Sequence, residues 1–186
     1  MGSLPQTHAL SVEDYLEGEL TAEVRHEYLG GEIHAMVGAS DRHNLIALNL
    51  ATALRPHVRG TGCQLFMADM KVRLAVAGDT VFYYPDLMLA CDLEDRATYY
   101  RTRPCLIVEV LSRATQRIDR REKLLAYTAI DSFQEYILLS QDRPEAEIHR
   151  RENGWRAEHL SEGELTVACL KVGVPLQVIY DEVEFG

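Results

Sequence analysis

Two acidic residues stand in stretches of sequence that have no ordinary place for a charge. Asp86 lies in VFYYPDLMLA and Glu109 in PCLIVEVL, apolar runs rich in β-branched and aromatic residues that read as buried strands. A carboxylate in such a strand is costly to bury unless a partner or a bound cation offsets it. CLIVEVL in particular is almost unbroken, as expected of a central strand covered on both faces. Side chains alternate along it, so Glu109 and Leu111 share one face, and the Val110 carbonyl between them is a further candidate oxygen ligand. Lys123 follows in RIDRREKLLAY.

The remaining pattern sets these strands in a mixed α/β architecture. Ser11 can cap a short helix over SVEDYLEGE, with Asp14 completing a capping box. Gly30-Gly31 in RHEYLGGEIHAMVG offers a two-residue hairpin turn. Ser40 and Asp41 open the longest helical pattern, with Leu45, Ile46, Leu50, Ala53 and Leu54 on one stripe and Pro56 and Gly60 marking its end. CQLFMADMKVRLAV reads as one long or bent strand, with VFYYPDLMLA its partner across Gly78-Asp79. A helix is expected from about Arg117 to Ile130, then a buried strand in EYILLS and a hairpin of EAEIHRR with WRAEHL around Asn153-Gly154. The expected fold is a mixed β-sheet flanked by helices, with an additional β segment at the C-terminus.

The 186 residues, 47% of them hydrophobic, suffice for a single domain with a sizeable core. No apolar run approaches membrane-spanning length. MGSLPQTHAL lacks the basic and apolar regions of a signal peptide. Cys63, Cys91, Cys105 and Cys169 form no CxxC pair and are expected as reduced core residues, so a cytoplasmic location is expected by default. The net charge of −10 argues against tight, non-specific nucleic-acid binding. Between Arg96 and Lys123, however, eight basic residues face three acids. That excess of +5 reads either as a solvated face or as a phosphate-contacting rim.

Hydrolysis of a phosphodiester needs a water nucleophile, neutralised charge at phosphorus and a stabilised leaving oxygen. Mg2+ held by one or two carboxylates supplies much of this, and Asp86 and Glu109 suit that role if their strands are neighbours. Blander readings stand beside it. Asp86 could cap a turn, Glu109 could pair with Arg113, and Lys123 could be a surface lysine paired with Asp119. His26 lacks the second histidine of a zinc protease helix. His43 could line a cleft or simply pack, and Ser112 and Thr115 could meet a phosphate or cap a helix. Tyr83, Tyr84, Tyr99 and Tyr100 could stack on bases, although packing is the simpler role. The nucleophile elbow, the phosphate loop and the dinucleotide fingerprint are all missing, which excludes acyl transfer, NTP hydrolysis and hydride transfer.

The ordered phrases RHEYLGGEIHAM, SDRHNLIALNL, YYPDLMLACD, LIVEVLSRAT, DRREKLLAY and SFQEYILLSQD resemble the Uma-two family of small bacterial restriction endonucleases, within the PD-(D/E)xK nuclease superfamily. The resemblance runs from about Val12 to Tyr180. It implies a restriction-endonuclease-like fold and a Mg2+-dependent DNA endonuclease, with Mn2+ able to substitute. Asp86 and Glu109 match the two metal-binding acids, and Glu27 matches an acid that some members add. The superfamily lysine normally follows the second acid by two residues, where this chain has Leu111. Lys123 occupies the place of a lysine recruited from the following helix, to orient water and offset charge at the phosphate. A homodimer is implied by family habit and by the need to cut two strands. The alternatives are a catalytically inactive nuclease-fold protein that binds nucleic acid or a partner, and an enzyme on another phosphodiester such as a small nucleotide or RNA.

Overall fold

A computed structural model describes residues 9–112 and 116–185 of the chain. Arg113 and Thr115, considered above as a partner for Glu109 and as a phosphate donor or cap, lie outside the described residues.

Helix α1 (Val12–Gly18) is capped as expected: Ser11 Oγ accepts the Asp14 amide at 3.1 Å and donates to the Asp14 carboxylate at 2.6 Å. Strands β1 (His26–Leu29) and β2 (Glu32–Ala35) form a hairpin. Its turn needs Gly30 and Gly31, whose φ angles of 59° and 104° lie in the left-handed region that favours glycine. Helix α2 (Asp41–Val58) starts where Ser40 Oγ accepts the His43 amide, and it buries Ile46, Ala47, Leu50, Leu54 and Val58.

The two long strand-like runs that follow are each divided. CQLFMADMKVRLAV yields β3 (Gln64–Met67) and β4 (Lys71–Val76), while DTVFYYPDLMLA yields β5 (Asp79–Tyr83) and β6 (Leu87–Ala90). β4 pairs with β5 in one sheet and β3 with β6 in another, so the expected single pair is two pairs joined by a corner. The breaks have a local cause. Ala68 adopts a φ of 57°, and its N–H reaches the Asp86 carbonyl at 3.1 Å. Pro85 brings no N–H to a ladder.

After β7 (Tyr100–Arg101) come β8 (Pro104–Leu111) and one helical run made of α3 (Gln116–Ile118), a π-helical turn (Asp119–Lys123) and α4 (Leu124–Thr128). The expected single helix therefore carries a widened turn, a feature frequent at functional sites. Tyr136 donates its hydroxyl to the Asp119 carbonyl there. The chain continues through β9 (Glu135–Ser140), β10 (Ala146–Arg150), β11 (Ala157–Leu160), β12 (Glu164–Val167), β13 (Val172–Pro175) and α5 (Leu176–Ile179).

One sheet has the order β2-β1-β5-β4-β7, the larger one β11-β10-β9-β8-β6-β3, and β12 and β13 pair separately. β8 lies between antiparallel β6 and parallel β9, the central position that its sequence implies. Leu106, Val108 and Val110 face a core shared with α2, β12, β13 and α5. Ile107 and Leu111 face an aromatic core with Tyr127, Phe133 and Tyr136. Cys63 and Cys91 form a disulfide at the β3–β6 edge, whereas all four cysteines were expected to be reduced. Their positions directly flank the paired residues Gln64 and Ala90, so strand pairing brings the two sulfurs together. The cysteines therefore no longer argue for a cytoplasmic location.

Glu135 ties the C-terminal β segment to the larger sheet. It is 1% exposed, accepts the Ala168 amide at 2.6 Å and the Cys169 amide at 3.3 Å, and pairs with Arg150 at 3.0 Å. Glu135→Ala strands buried donors and is expected to lower stability by about 3 kcal/mol, read from the midpoint of urea unfolding. A loss below about 1 kcal/mol would show that the clamp is dispensable.

Candidate active site

Asp86 directly precedes β6, and the register Leu87 to Val108 sets it beside Glu109. Its Oδ2 accepts the Val110 amide at 2.7 Å, so the side chain extends the β6–β8 ladder past the proline break. The same oxygen lies 3.1 Å from His43 Nε2. Thus the histidine engages one of the two acids that the sequence offers as cation ligands.

Glu109 is buried at the middle of β8 on the aromatic face. Lys123 reaches it from the π turn, with Nζ 3.1 Å from Glu109 Oε1, 3.1 Å from Glu27 Oε1 and 3.3 Å from Asp119 Oδ1. The ammonium also stands over the Tyr83 ring, 5.4 Å from its centroid. Tyr127 donates its hydroxyl to the same Glu109 oxygen at 3.3 Å. The sequence left open a surface role for Lys123, but the residue is buried and bridges three carboxylates. Leu111, where the common superfamily pattern has its lysine, packs in the aromatic core. Lys123 enters over the face of β8.

Glu27, Asp86, Glu109 and Lys123 therefore line one cleft of about 710 Å³. Sequence reasoning undervalued two of its residues. His43 sits in the first turn of α2, within reach because Ser40 caps the helix at the cleft wall. Asp119, four residues before Lys123, read as an ordinary helix-surface partner. It is instead buried, and its Oδ1 has the ion pair but no hydrogen bond.

The cleft is acidic. Glu27, Asp86, Glu109, Asp119 and Glu122 line it, and of the eight basic residues in the Arg96–Lys123 window only Lys123 is among the described lining residues. Arg101 and Arg103 brace the loop before β8, through Gln64 at 3.0 Å and Asp92 at 2.8 Å, and Arg96 holds the Leu93 carbonyl. Those three do not form a phosphate rim. Of the tyrosines, Tyr83 packs edge-on against Tyr127, Tyr84 donates to Glu19 at 2.7 Å, and Tyr100 packs edge-on against Phe82. His26 contacts Glu19 at 2.8 Å.

The charges shift one another. Burial pushes the Glu109 carboxyl well above the usual range. Lys123 opposes that push, while Asp86, Asp119 and Glu27 add to it. Burial alone would lower Lys123, but Glu109, Glu27 and Asp119 outweigh it and hold the ammonium charged. Burial likewise opposes protonation of His43, and Asp86, with Asp119, reverses the balance.

Among the described residues, no group of three or more His, Cys, Asp or Glu side chains has metal-holding geometry. Mg2+ does not require such a group, because it is commonly held by one or two carboxylates with waters and phosphate completing its shell. The excess of buried acid, with Asp119 Oδ1 lacking a hydrogen bond, fits a divalent cation.

A mixed sheet that sets two acids side by side on antiparallel neighbours, next to a parallel strand pair and with a lysine from the following helix, has the restriction-endonuclease-like fold. Residues 12–178 match the Uma2 family, described as "Putative restriction endonuclease". The chain belongs to this family. Two proteins of Synechocystis sp. are similar along most of their length. The uncharacterized protein slr1290 is 32% identical over 95% of this chain and 94% of its own. The uncharacterized protein sll1609 is 33% identical over 73% and 77%. The crystal structure of "a putative nuclease belonging to DUF820" from Anabaena variabilis shares the fold at a TM-score of 0.73. It is 14% identical and covers 92% of this chain and 97% of that one. No helix among the described residues is long and apolar enough to cross a membrane.

Two outcomes are expected of the charge cluster. Lys123→Met strands three acids and is expected to cost about 3–5 kcal/mol. Combining it with Glu109→Gln should recover part of that loss, because the two residues share one interaction. Strict additivity in urea unfolding would show that the ion pair is not coupled. Outside the cleft, Arg120 of the π turn pairs with Glu147 at 2.8 Å, and Glu147 contacts His149 at 2.9 Å. The His149 hydrogen bond first, helped by Arg120 against burial, holds the Glu147 carboxyl down at about 2. Its contribution to stability is present above the unfolded value of about 4.3 and is lost as pH falls toward 2. Glu147→Gln should flatten the acid limb of a stability–pH curve, and an unchanged limb would count against the anchor.

Proposed function

We propose that the protein is a divalent-metal-dependent DNA endonuclease, in which Asp86 and Glu109 hold Mg2+ and Lys123 serves the attacking water. The observation that carries this reading is the convergence of Asp86, Glu109, Glu27 and Lys123 on one acidic cleft from four separate segments. Mg2+, or Mn2+ in its place, supplies neutralisation at the phosphate and a water of lowered pKa. The residues supply the rest. The Val110 amide fixes the Asp86 carboxylate. Glu27 and Asp119 hold the Lys123 ammonium beside Glu109, where it orients the water and offsets charge as the water oxygen bonds to phosphorus and the P–O bond to the leaving oxygen breaks. His43 Nε2 lies on the Asp86 oxygen, which a bound cation would share. A homodimer presents two such clefts to the two strands of a duplex.

The test is cleavage of plasmid, linear and branched DNA with Mg2+ or Mn2+, run with Asp86→Asn and Lys123→Ala. Activity should fall by at least about 10²-fold in both variants. Chelation should abolish it, and calorimetry should show metal binding weakened by Asp86→Asn. A folded wild type that cuts no substrate would overturn the nuclease reading in favour of a nuclease fold used for binding.

A further inference from the structure

All four cysteines of the chain meet in one place, far along the sequence from one another. Cys63 precedes β3, Cys91 follows β6, Cys105 lies in β8 and Cys169 in the β12–β13 turn, and all four pack, partly buried, on the same core. Cys105 gets there through a bulge. Leu89 pairs with Leu106 and Ala90 with Pro104, which leaves Cys105 unmatched in the ladder. Strict alternation would turn it to the aromatic face with Ile107. The extra residue turns it instead to the side of Leu106 and Val108, a known use of bulges. There its Sγ lies 3.6 Å from Cys91 Sγ, one half of the Cys63–Cys91 disulfide. Cys105 and burial together push the Cys169 thiol well above its usual range.

We propose that these cysteines form a thiol–disulfide exchange site, in which Cys105 is the nucleophile that moves the crosslink. The Cys105 thiolate attacks Cys91 Sγ. An S–S bond forms between Cys91 and Cys105, the Cys63–Cys91 bond breaks, and Cys63 leaves as a thiolate that takes up the proton Cys105 gave up. One disulfide is exchanged for another, so no outside oxidant or reductant is consumed.

The relocation changes what is tied down. The Cys63–Cys91 bond fastens edge strand β3 to β6. Met67 at the far end of β3 and Ala68 just beyond it form part of the cleft wall, where the Ala68 N–H donates to the Asp86 carbonyl. Moving the bond to Cys105 releases β3 and locks β8, the strand of Glu109. The exchange site is thus linked to the cleft through the length of β3, and its chemistry stands whether or not the cleft cuts DNA.

The experiment is disulfide mapping of the full-length protein, held at pH 8 with oxidised glutathione, quenched in acid, alkylated and digested for mass spectrometry. The expected result is a Cys91–Cys105 linkage alongside Cys63–Cys91 in the wild type. That linkage should be lost in Cys105→Ser and become the main one in Cys63→Ser, all with wild-type circular dichroism. A folded wild type that yields only Cys63–Cys91 would overturn the exchange. So would one that yields no disulfide. Zinc or iron bound in stoichiometric amount, with all four thiols protected, would overturn it in favour of a metal centre.

Discussion

The ammonium of Lys123 is held by carboxylates from three parts of the chain: Glu27 on β1, Glu109 on β8 and Asp119 on the π turn. None of these charges is tolerable alone at such burial, since the desolvation of each must be offset by the others. One consequence is positional. The hairpin of the smaller sheet, the central strand of the larger one and the helical run must all arrive at the same point. The other is chemical. One lysine and two histidines, His34 and His43, do not balance five lining acids, and the excess favours a cation.

The corner between the sheets is what makes this convergence possible. Had the β3–β4 and β5–β6 runs stayed straight, Asp86 would lie inside a ladder with its backbone paired and its side chain on one face of a single sheet. Pro85 and Ala68 break both runs at the same level. The Asp86 carboxylate then takes over the pairing duty of its own backbone by accepting the Val110 amide. A side chain so fixed needs no reorganisation to present an oxygen at the cleft. His43 completes the wall because α2 begins there, capped by Ser40.

The migrated lysine follows from the same packing. The position two residues after Glu109 is filled by Leu111, which the aromatic core of Tyr127, Phe133 and Tyr136 requires to be apolar. The cation therefore comes from outside the strand. The π turn that carries it is anchored by Tyr136 on the inner side and by Glu147 through Arg120 on the outer side. The charge beside Glu109 is thus delivered by the helical run and not by the strand itself.

Much of this was legible in the sequence. A carboxylate in LIVEVL announces a buried charge, because few other residues in the run can satisfy it. Ser11, Ser40 and Gly30-Gly31 announce their caps and turn through local stereochemistry. The six phrases carry the family. The sequence did not tell that CQLFMADMKVRLAV and VFYYPDLMLA divide between two sheets, because each is apolar enough to continue. It left His43 undecided between cleft and packing, took Asp119 for a surface partner, and did not tell that Arg96, Arg101 and Arg103 brace the loop before β8, since exposure of a polar side chain depends on what packs over it. Nor could the spacing of four scattered cysteines reveal one cluster, made by strand register and a one-residue bulge. Local propensity and pattern are properties of neighbours in the chain, and those the sequence determined by itself. Which charges share a cleft, and which sulfurs touch, depend on segments far apart in the chain, and only the tertiary structure decided them.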